Sequence, residues 1–117
     1  MGVISVAESI IKSSYVCDDV SFTTPSSAGL TSNLTAIKRN GNLCIAYVAV
    51  RNTSGFNANE WIKIHTVSVQ PKNEIDILTT WTDQTATVEL RTNGDIYIYA
   101  HNTKYTGFLR AIIPFFI

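Results

Sequence analysis

Short β-type segments recur along most of the chain at intervals of roughly ten residues, and this spacing limits the possible folds more than any other feature. The segments are rich in β-branched and aromatic residues, and glycine, asparagine and proline separate them. Such spacing is typical of a sandwich or jelly roll rather than of βαβ units. The sequence therefore predicts an all-β fold, an antiparallel and jelly-roll-like β-sandwich. The segments are residues 20–23, 35–38, 43–51, 61–69, 75–78, 86–91, 96–100 and 107–115.

Two Asn-Gly pairs, at 40–41 and 93–94, mark hairpins, and the second lies between segments whose alternation fixes the register. A two-residue loop would place Leu90 beside Tyr97 and divide the aliphatic residues between both faces. A three-residue loop pairs Leu90 with Ile96 instead. We therefore predict a type I turn with a glycine bulge at Gly94. The outer pairs that follow are Arg91 with Asp95, Glu89 with Tyr97, and Thr87 with Tyr99.

The start of the chain has a helical pattern instead. Apolar residues at 3, 6, 7, 10 and 11 follow the spacing of one helix face, and Ser5 and Glu8 have the offset of a capping box. A helix this short is marginal alone in water. We expect residues 1–15 to form a short helix or the stub of a helical stalk, and residues 16–117 to form the β-sandwich domain. A β-strand or a frayed end is the alternative for the first segment.

Composition excludes several classes of function. Nine Lys and Arg balance nine Asp and Glu, so there is no basic stripe for a nucleic-acid backbone. No apolar run reaches the roughly 18 to 20 residues of a membrane span, and the start lacks the basic region of a signal peptide. We expect a soluble chain made in the bacterial cytoplasm, with no membrane or nucleic-acid partner. Cys17 and Cys44 lack the spacing of a zinc site and are expected to be free thiols, without metal or cofactor.

The last segment, residues 107–117, is apolar on both faces apart from Arg110. Such a strand is normally covered on both sides, whereas a small sandwich covers only one face of each sheet. The charged fraction is 15%, against about 25% in typical domains, which also indicates a covered surface. We expect a homo-oligomer with closed symmetry. Its interface residues are predicted to be Ile10, Phe108, Ile112 and Phe115.

The sequence carries no recognisable catalytic motif, and we predict that the chain is not an enzyme. His65 and His101 have no companion at a metal-binding offset, so each is interpreted as a surface or hydrogen-bonded histidine. A glycosidase needs two facing carboxylates, and the sequence leaves open an accidental pair such as Asp83 and Glu89.

Aromatic and polar residues predicted to face outwards suit a sugar, because sugar rings stack on aromatic faces and sugar hydroxyls need donors and acceptors. The alternative interpretation is that Tyr97 and Tyr99 provide cross-strand packing or subunit contacts. The candidate ligand residues are Trp81, Asp83, Tyr97, Tyr99, His101 and Tyr105.

The second half of the chain resembles a known module. The strand Glu-Trp-Ile-Lys-Ile-His-Thr-Val at 60–67, the Gln-Pro at 70–71 and the hairpin Val-Glu-Leu-Arg-Thr-Asn-Gly-Asp-Ile-Tyr-Ile-Tyr-Ala at 88–100 carry the resemblance. Together with Arg-Asn-Gly-Asn-Leu at 39–43, they resemble the C-terminal β-sandwich module of tail-fibre and baseplate proteins of phages that infect Gram-positive bacteria. His65 and the residues before Pro71 depart from the usual pattern of that module.

The resemblance implies a homotrimeric head on a helical stalk, carried on the phage tail. The implied role is attachment to a saccharide or protein on the host cell surface, with other tail or baseplate proteins as further partners. No binding residue can be transferred from the module to this chain. Two other functions stay open: a structural adaptor in a virion or prophage-derived particle, and a polysaccharide hydrolase.

Overall fold

The computed structural model describes residues 17–26, 29–32 and 34–117. The predicted N-terminal helix or stalk stub, with Ile10, lies outside the described residues. Across the described ranges the chain is all-β, and no helix there could span a membrane. The strands are β1 (Asp18–Asp19), β2 (Phe22–Thr23), β3 (Leu30–Thr31), β4 (Ala36–Asn40), β5 (Leu43–Asn52), β6 (Trp61–Val67), β7 (Ile75–Trp81), β8 (Gln84–Leu90), β9 (Asp95–His101) and β10 (Leu109–Phe116).

The strands form two antiparallel sheets that share one core. The first sheet has the order β1-β4-β5-β10, with β3 paired to the end of β5, and the second has the order β2-β6-β9-β8-β7. The first sheet contributes Val48 and Ile113 to the core, and the second contributes Val88 and Ile98. The prediction of an all-β, antiparallel fold is therefore confirmed, in a sandwich-like form.

The β8–β9 hairpin has the predicted register. Leu90 pairs with Ile96, and the outer pairs Glu89–Tyr97 and Thr87–Tyr99 also form. The amide of Arg91 donates to the Asp95 carbonyl (2.9 Å), and the amide of Gly94 donates to the Arg91 carbonyl (2.9 Å). Gly94 has a φ of 94°, which a side chain would disfavour, and a Cβ there would lie 2.7 Å from the Val67 carbonyl oxygen.

The faces of β10 alternate strictly between buried and exposed. The inner residues, which include Phe115 at 2% exposure, pack in the core. Phe115 therefore does not face a partner, which corrects its predicted place in an interface. The exposed apolar residues of β10 are instead Phe116, at 60% exposure, and Ile112, at 55%. We call the accessible apolar residues on the outward side of β10 and β5 the outer patch: Leu43, Tyr47, Ile112, Pro114 and Phe116. Ile45, the partner of Pro114 on this side, is buried against Cys17.

A β-bulge in β6 turns His65 towards the interior. Lys63 pairs with Tyr97, but His65 pairs with Ile96, so Ile64 is an extra residue in the register. As a result both Ile64 and His65 are fully buried. Simple alternation from Trp61 would have placed His65 on the outer face.

The edges of the two sheets differ in length. One end of each sheet is closed by a two-residue strand, β1 or β2. At the other end, β7 has seven residues and β10 has eight, and these two edges lie against each other, with Thr79 Oγ1 donating to the Arg110 carbonyl (3.1 Å). The long edges therefore share one side of the molecule.

Candidate functional site

The structure separates the predicted ligand residues into three places. Tyr97, Tyr99 and His101 alternate along β9 and project from the outer face of the second sheet, because Ile96, Ile98 and Ala100 fill the core between them. Trp81 and Asp83 lie at the turn between β7 and β8. Tyr105 lies in the core. The site predicted from the sequence is therefore not a single cluster.

Trp61 completes an aromatic surface on the outer face. It is the cross-strand partner of Tyr99, and the two ring centroids are 5.0 Å apart, while Tyr99 and His101 are 5.2 Å apart. We call Trp61, Tyr97, Tyr99 and His101 the aromatic platform. Trp61 is 44% exposed, and the other three side chains are half-buried. The platform thus offers ring faces already held in place by their neighbours.

Arg91 covers part of the platform. Its guanidinium carbon lies 3.8 Å from the centre of the Tyr97 ring and 5.5 Å from the centre of the Trp61 ring. Its Nε donates to Glu89 Oε1 at 2.7 Å, so the cation is fixed over the rings by a carboxylate that is itself buried. Guanidinium donors therefore border the aromatic surface.

Other polar groups border the same rings. Lys63 Nζ is 3.7 Å from Asp95 Oδ2, and Thr66 Oγ1 donates to Asp95 Oδ1 (2.8 Å). The Nε2 of His101 shares a 2.7 Å hydrogen bond with the Thr87 hydroxyl. Donors and acceptors thus flank the aromatic faces, which is the combination that sugar hydroxyls require.

Three carboxylates form an acidic cluster at the neighbouring edge. Glu74, Asp76 and Glu89 bring carboxylate oxygens within 4.8 Å of one another. The charge of Glu89 raises the pKa of Glu74, and lost hydration together with a hydrogen bond to Glu89 raises the pKa of Asp76. Arg91 already binds Glu89, while Glu74 and Asp76 are exposed. The cluster is thus partly neutralised by the protein itself.

The proposed accidental pair of carboxylates does not face across a cleft. Asp83 lies in the turn before β8, and Glu89 lies near the far end of that extended strand. Six residues of strand separate their backbones by roughly 20 Å, whereas glycosidase carboxyl groups stand about 5 to 9.5 Å apart. Asp83 instead accepts a hydrogen bond from the Thr82 hydroxyl (3.1 Å).

Tyr105 is only 1% exposed, so no part of its ring is open to a ligand. It forms a bridge with Phe56, in which each backbone amide donates to the other residue's carbonyl, at 2.8 and 2.9 Å. Its hydroxyl has no hydrogen-bond partner within the described part of the chain, and burial raises its pKa. The structure therefore gives Tyr105 a place in the core rather than in a binding surface.

His65 is a hydrogen-bonded core histidine, one of the two predicted possibilities. Its Nδ1 is 3.0 Å from the Thr24 hydroxyl, and its Nε2 is 3.1 Å from the Thr35 hydroxyl. The Thr35 oxygen also accepts from the Ala49 amide (3.0 Å), so the ring links β6 to β5 of the other sheet. Burial lowers the pKa of His65 to about 4.

Cys17 and Cys44 are both buried and free, as predicted. Burial raises the pKa of the Cys44 thiol, which disfavours the reactive thiolate.

Trp61 and Arg91 are functional candidates that the sequence did not single out. Trp61 precedes Tyr99 by 38 positions in the sequence, and only the β6–β9 pairing makes them neighbours. Arg91 was placed opposite Asp95 by the hairpin register, but its contact with Trp61 also depends on that pairing. The one signal in the sequence was that Trp61, a large aromatic residue, begins a predicted strand and faces outwards by alternation.

No family model matches the chain, and neither the curated proteins nor the solved structures give a significant match.

Proposed function

We propose that this chain is a non-catalytic receptor-binding head of a phage tail-fibre or baseplate protein, which attaches to a saccharide on the host cell surface. The observation that carries the proposal is the aromatic platform, with ring faces next to charged and hydroxyl groups. A sugar ring would stack on Trp61 and Tyr99, and its hydroxyls would bond to Arg91 and the groups around Asp95. The platform needs no motion of the backbone to present these groups.

The outer patch supports the second part of the proposal, a homotrimer. Ile112 and Phe116 are exposed on one strand, and Tyr47 and Leu43 are their partners on β5. Exposed apolar clusters of this kind are typical of subunit interfaces. In the proposed particle the jelly-roll-like head stands on a stalk in the virion, where it also contacts other tail or baseplate proteins.

A glycan array with the purified chain tests saccharide binding. We expect wild type to bind a restricted set of glycans, and Trp61→Ala to weaken that binding by about tenfold or more, since aromatic anchors dominate such interfaces. Leu34→Ala is the matched control, because Leu34 is also exposed, at 51%, but lies in a turn away from the platform. Equal binding by wild type and Trp61→Ala would reject the platform as the site.

Light scattering tests the trimer. We expect a mass three times that of the 12.9 kDa chain, and a shift to monomer for Ile112→Lys. Leu78→Lys is the control, since Leu78 is 67% exposed on the other sheet and should leave the mass unchanged. A monomeric wild type at micromolar concentration would contradict the trimer.

The two other functions predict different results. A stable trimer that binds no glycan would favour a structural adaptor. The acidic cluster, with the raised pKa values of Glu74 and Asp76, is the observation that favours a hydrolase. Reducing ends that appear over time with polysaccharide, and that are lost in Asp76→Asn, would favour that function over simple binding.

A further inference from the structure

A groove opens where the edge strands β7 and β10 meet, away from the aromatic platform. Its volume is about 740 Å³, within the roughly 300 to 1,000 Å³ of ligand pockets. The residues that matter for its chemistry are Arg51, Trp81, Thr106, Gly107, Phe108 and Arg110. They come from β5, the end of β7, and the segment that leads into β10.

Three contacts hold the walls of the groove. The side chain of Gln84 accepts from the Thr106 amide (2.8 Å) and donates to the Thr106 hydroxyl (3.1 Å). Thr79 Oγ1 donates to the Arg110 carbonyl (3.1 Å). The Trp81 ring lies directly on Gly107, where a Cβ would fall 2.2 Å from the ring. The absence of a side chain at 107 is therefore what lets the indole form this wall.

The charge of the groove has one sign. Arg51 and Arg110 are the charged residues in its lining, and neither guanidinium has an acidic partner within 4.0 Å among the residues described. Arg39, Lys72 and Lys104 have no such partner among the described residues either, so what distinguishes the groove is that two unpaired guanidinium groups share one lining. Arg110 lies over the Phe108 ring, with its guanidinium carbon 5.0 Å from the ring centre. Planar guanidinium groups bind carboxylate and phosphate in preference to neutral groups.

Trp81 adds a flat apolar surface to these cations. Its side chain is 48% exposed even though its ring packs on Gly107, so one part of the indole remains open. The Thr106 hydroxyl lies on the same wall. An indole, a hydroxyl and two guanidinium groups match a ring that carries both hydroxyls and an acidic group.

We propose that this groove binds an acidic sugar, a monosaccharide unit bearing a carboxylate or a phosphate. The sugar ring lies against Trp81, and its acidic group pairs with Arg51 and Arg110. The site is separate from the aromatic platform, and this inference stands whether or not the platform binds a glycan.

The two tryptophans give one reporter for each surface. Trp61 lies on the platform and Trp81 lies in the groove, so their indole N–H signals in a ¹H–¹⁵N NMR spectrum report on the two places separately. Trp61→Phe and Trp81→Phe assign the two signals. The full chain is titrated with glucuronate, glucose 6-phosphate, glucose and inorganic phosphate, each at millimolar concentration.

We expect glucuronate or glucose 6-phosphate to shift the Trp81 signal with saturation, and to leave the Trp61 signal in place. A shift with glucuronate alone identifies a carboxylate site, and a shift with glucose 6-phosphate alone identifies a phosphate site. Glucose that binds as tightly as the acidic sugars would overturn the role of the arginines. Inorganic phosphate that binds as tightly would overturn the role of the sugar ring, and no shift with any probe would overturn the site.

Two variants sharpen the test. Arg110→Gln should weaken binding of the acidic sugar by about tenfold, because a charge-assisted hydrogen bond is lost. Arg39→Gln is its control, since Arg39 lies on β4 outside the groove and donates to the Gly41 carbonyl. Gly107→Ala should displace the Trp81 ring and also weaken binding. If Gly107→Ala fails to fold, the result for Arg110→Gln still decides the proposal, and unchanged binding there would overturn it.

Discussion

The outer faces of the two sheets differ in chemistry, although Leu78, 67% exposed, adds one apolar group to the second. On the second sheet, aromatic rings alternate with charged groups, and Arg91 and Lys63 are each paired with a carboxylate. On the first sheet, the outer patch exposes Ile112 and Phe116, with aliphatic and aromatic partners on β5. Both faces are built from the same alternation of inward and outward residues. They differ in what the outward residues are and in their cover, because Ile45 on the first sheet is buried against Cys17.

This contrast fits the two kinds of partner proposed above. Rings with neighbouring donors and acceptors suit a polar ligand that leaves the face partly wet. Exposed aliphatic and phenyl groups suit a dry contact with another protein surface. The face proposed to bind a ligand and the face proposed to bind other copies therefore differ in chemistry.

The largest expected effect is a difference in stability between substitutions on the two sides of β10. Phe115→Ala removes a ring from the core and should lower the free energy of unfolding by about 3 to 5 kcal/mol. Phe116→Ala removes an exposed ring and should change the free energy of unfolding of an isolated monomer by less than about 0.5 kcal/mol. Urea unfolding at several protein concentrations measures both variants. Equal losses at every concentration would contradict the assignment of Phe116 to an outward face.

The next largest effect comes from His65, whose ring links the two sheets and so holds both outer faces in place. The folded-state pKa of about 4 lies below the ordinary 6.5, so protons bind the unfolded chain first as the pH falls. The contribution of His65 to the free energy of unfolding is fully present above pH 6.5. It is lost as the pH falls to 4, by about 3 kcal/mol in total. Urea unfolding at pH 7 and at pH 4.5 checks this.

His65→Gln supplies the control for that measurement. It keeps a polar group near Thr24 and Thr35 but does not titrate, so its stability should depend less on pH than that of wild type. The same pH dependence in both proteins would show that other groups cause the acid sensitivity.

A smaller effect concerns the polar face alone. Arg91→Gln leaves the buried Glu89 without its cation and close to the exposed Glu74 and Asp76, which should cost about 1 to 2 kcal/mol. Arg39→Gln is the control, since its Nε only donates to an exposed carbonyl. Thermal unfolding compares the two variants. If they lose the same stability, the pair between Arg91 and Glu89 does not stabilise this face.

Local patterns in the sequence determined much of the fold. The alternation on both sides of residues 92–94 was sufficient to predict the pairing of Leu90 with Ile96 and the bulge at Gly94. Strand β10 was predicted, but its apolar run does not reveal which residues face inwards. Only the pairing with β5 shows that Phe115 is buried and Phe116 is exposed.

The candidate site was less predictable, because it depends on contacts between distant segments. Tyr105 resembled a surface turn residue until its bridge with Phe56 placed it in the core. Trp81 and Tyr99 were grouped by residue type, yet they lie in different places. The direction of His65 depends on a bulge in β6 that no turn residue marks.

The unequal edges of the sheets have a consequence for assembly. A strand that lacks a neighbour exposes a row of amide and carbonyl groups, and a two-residue edge offers too few of them to hold another chain. In the described part of the molecule, β1 and β2 are such short edges, whereas β7 and β10 are long, and two carbonyls of β10 already accept hydrogen bonds from Thr79 and Lys72. Pro114 has no amide hydrogen to donate, so β10 is a poor template for a further strand, and growth of the first sheet by an added segment is disfavoured at this edge.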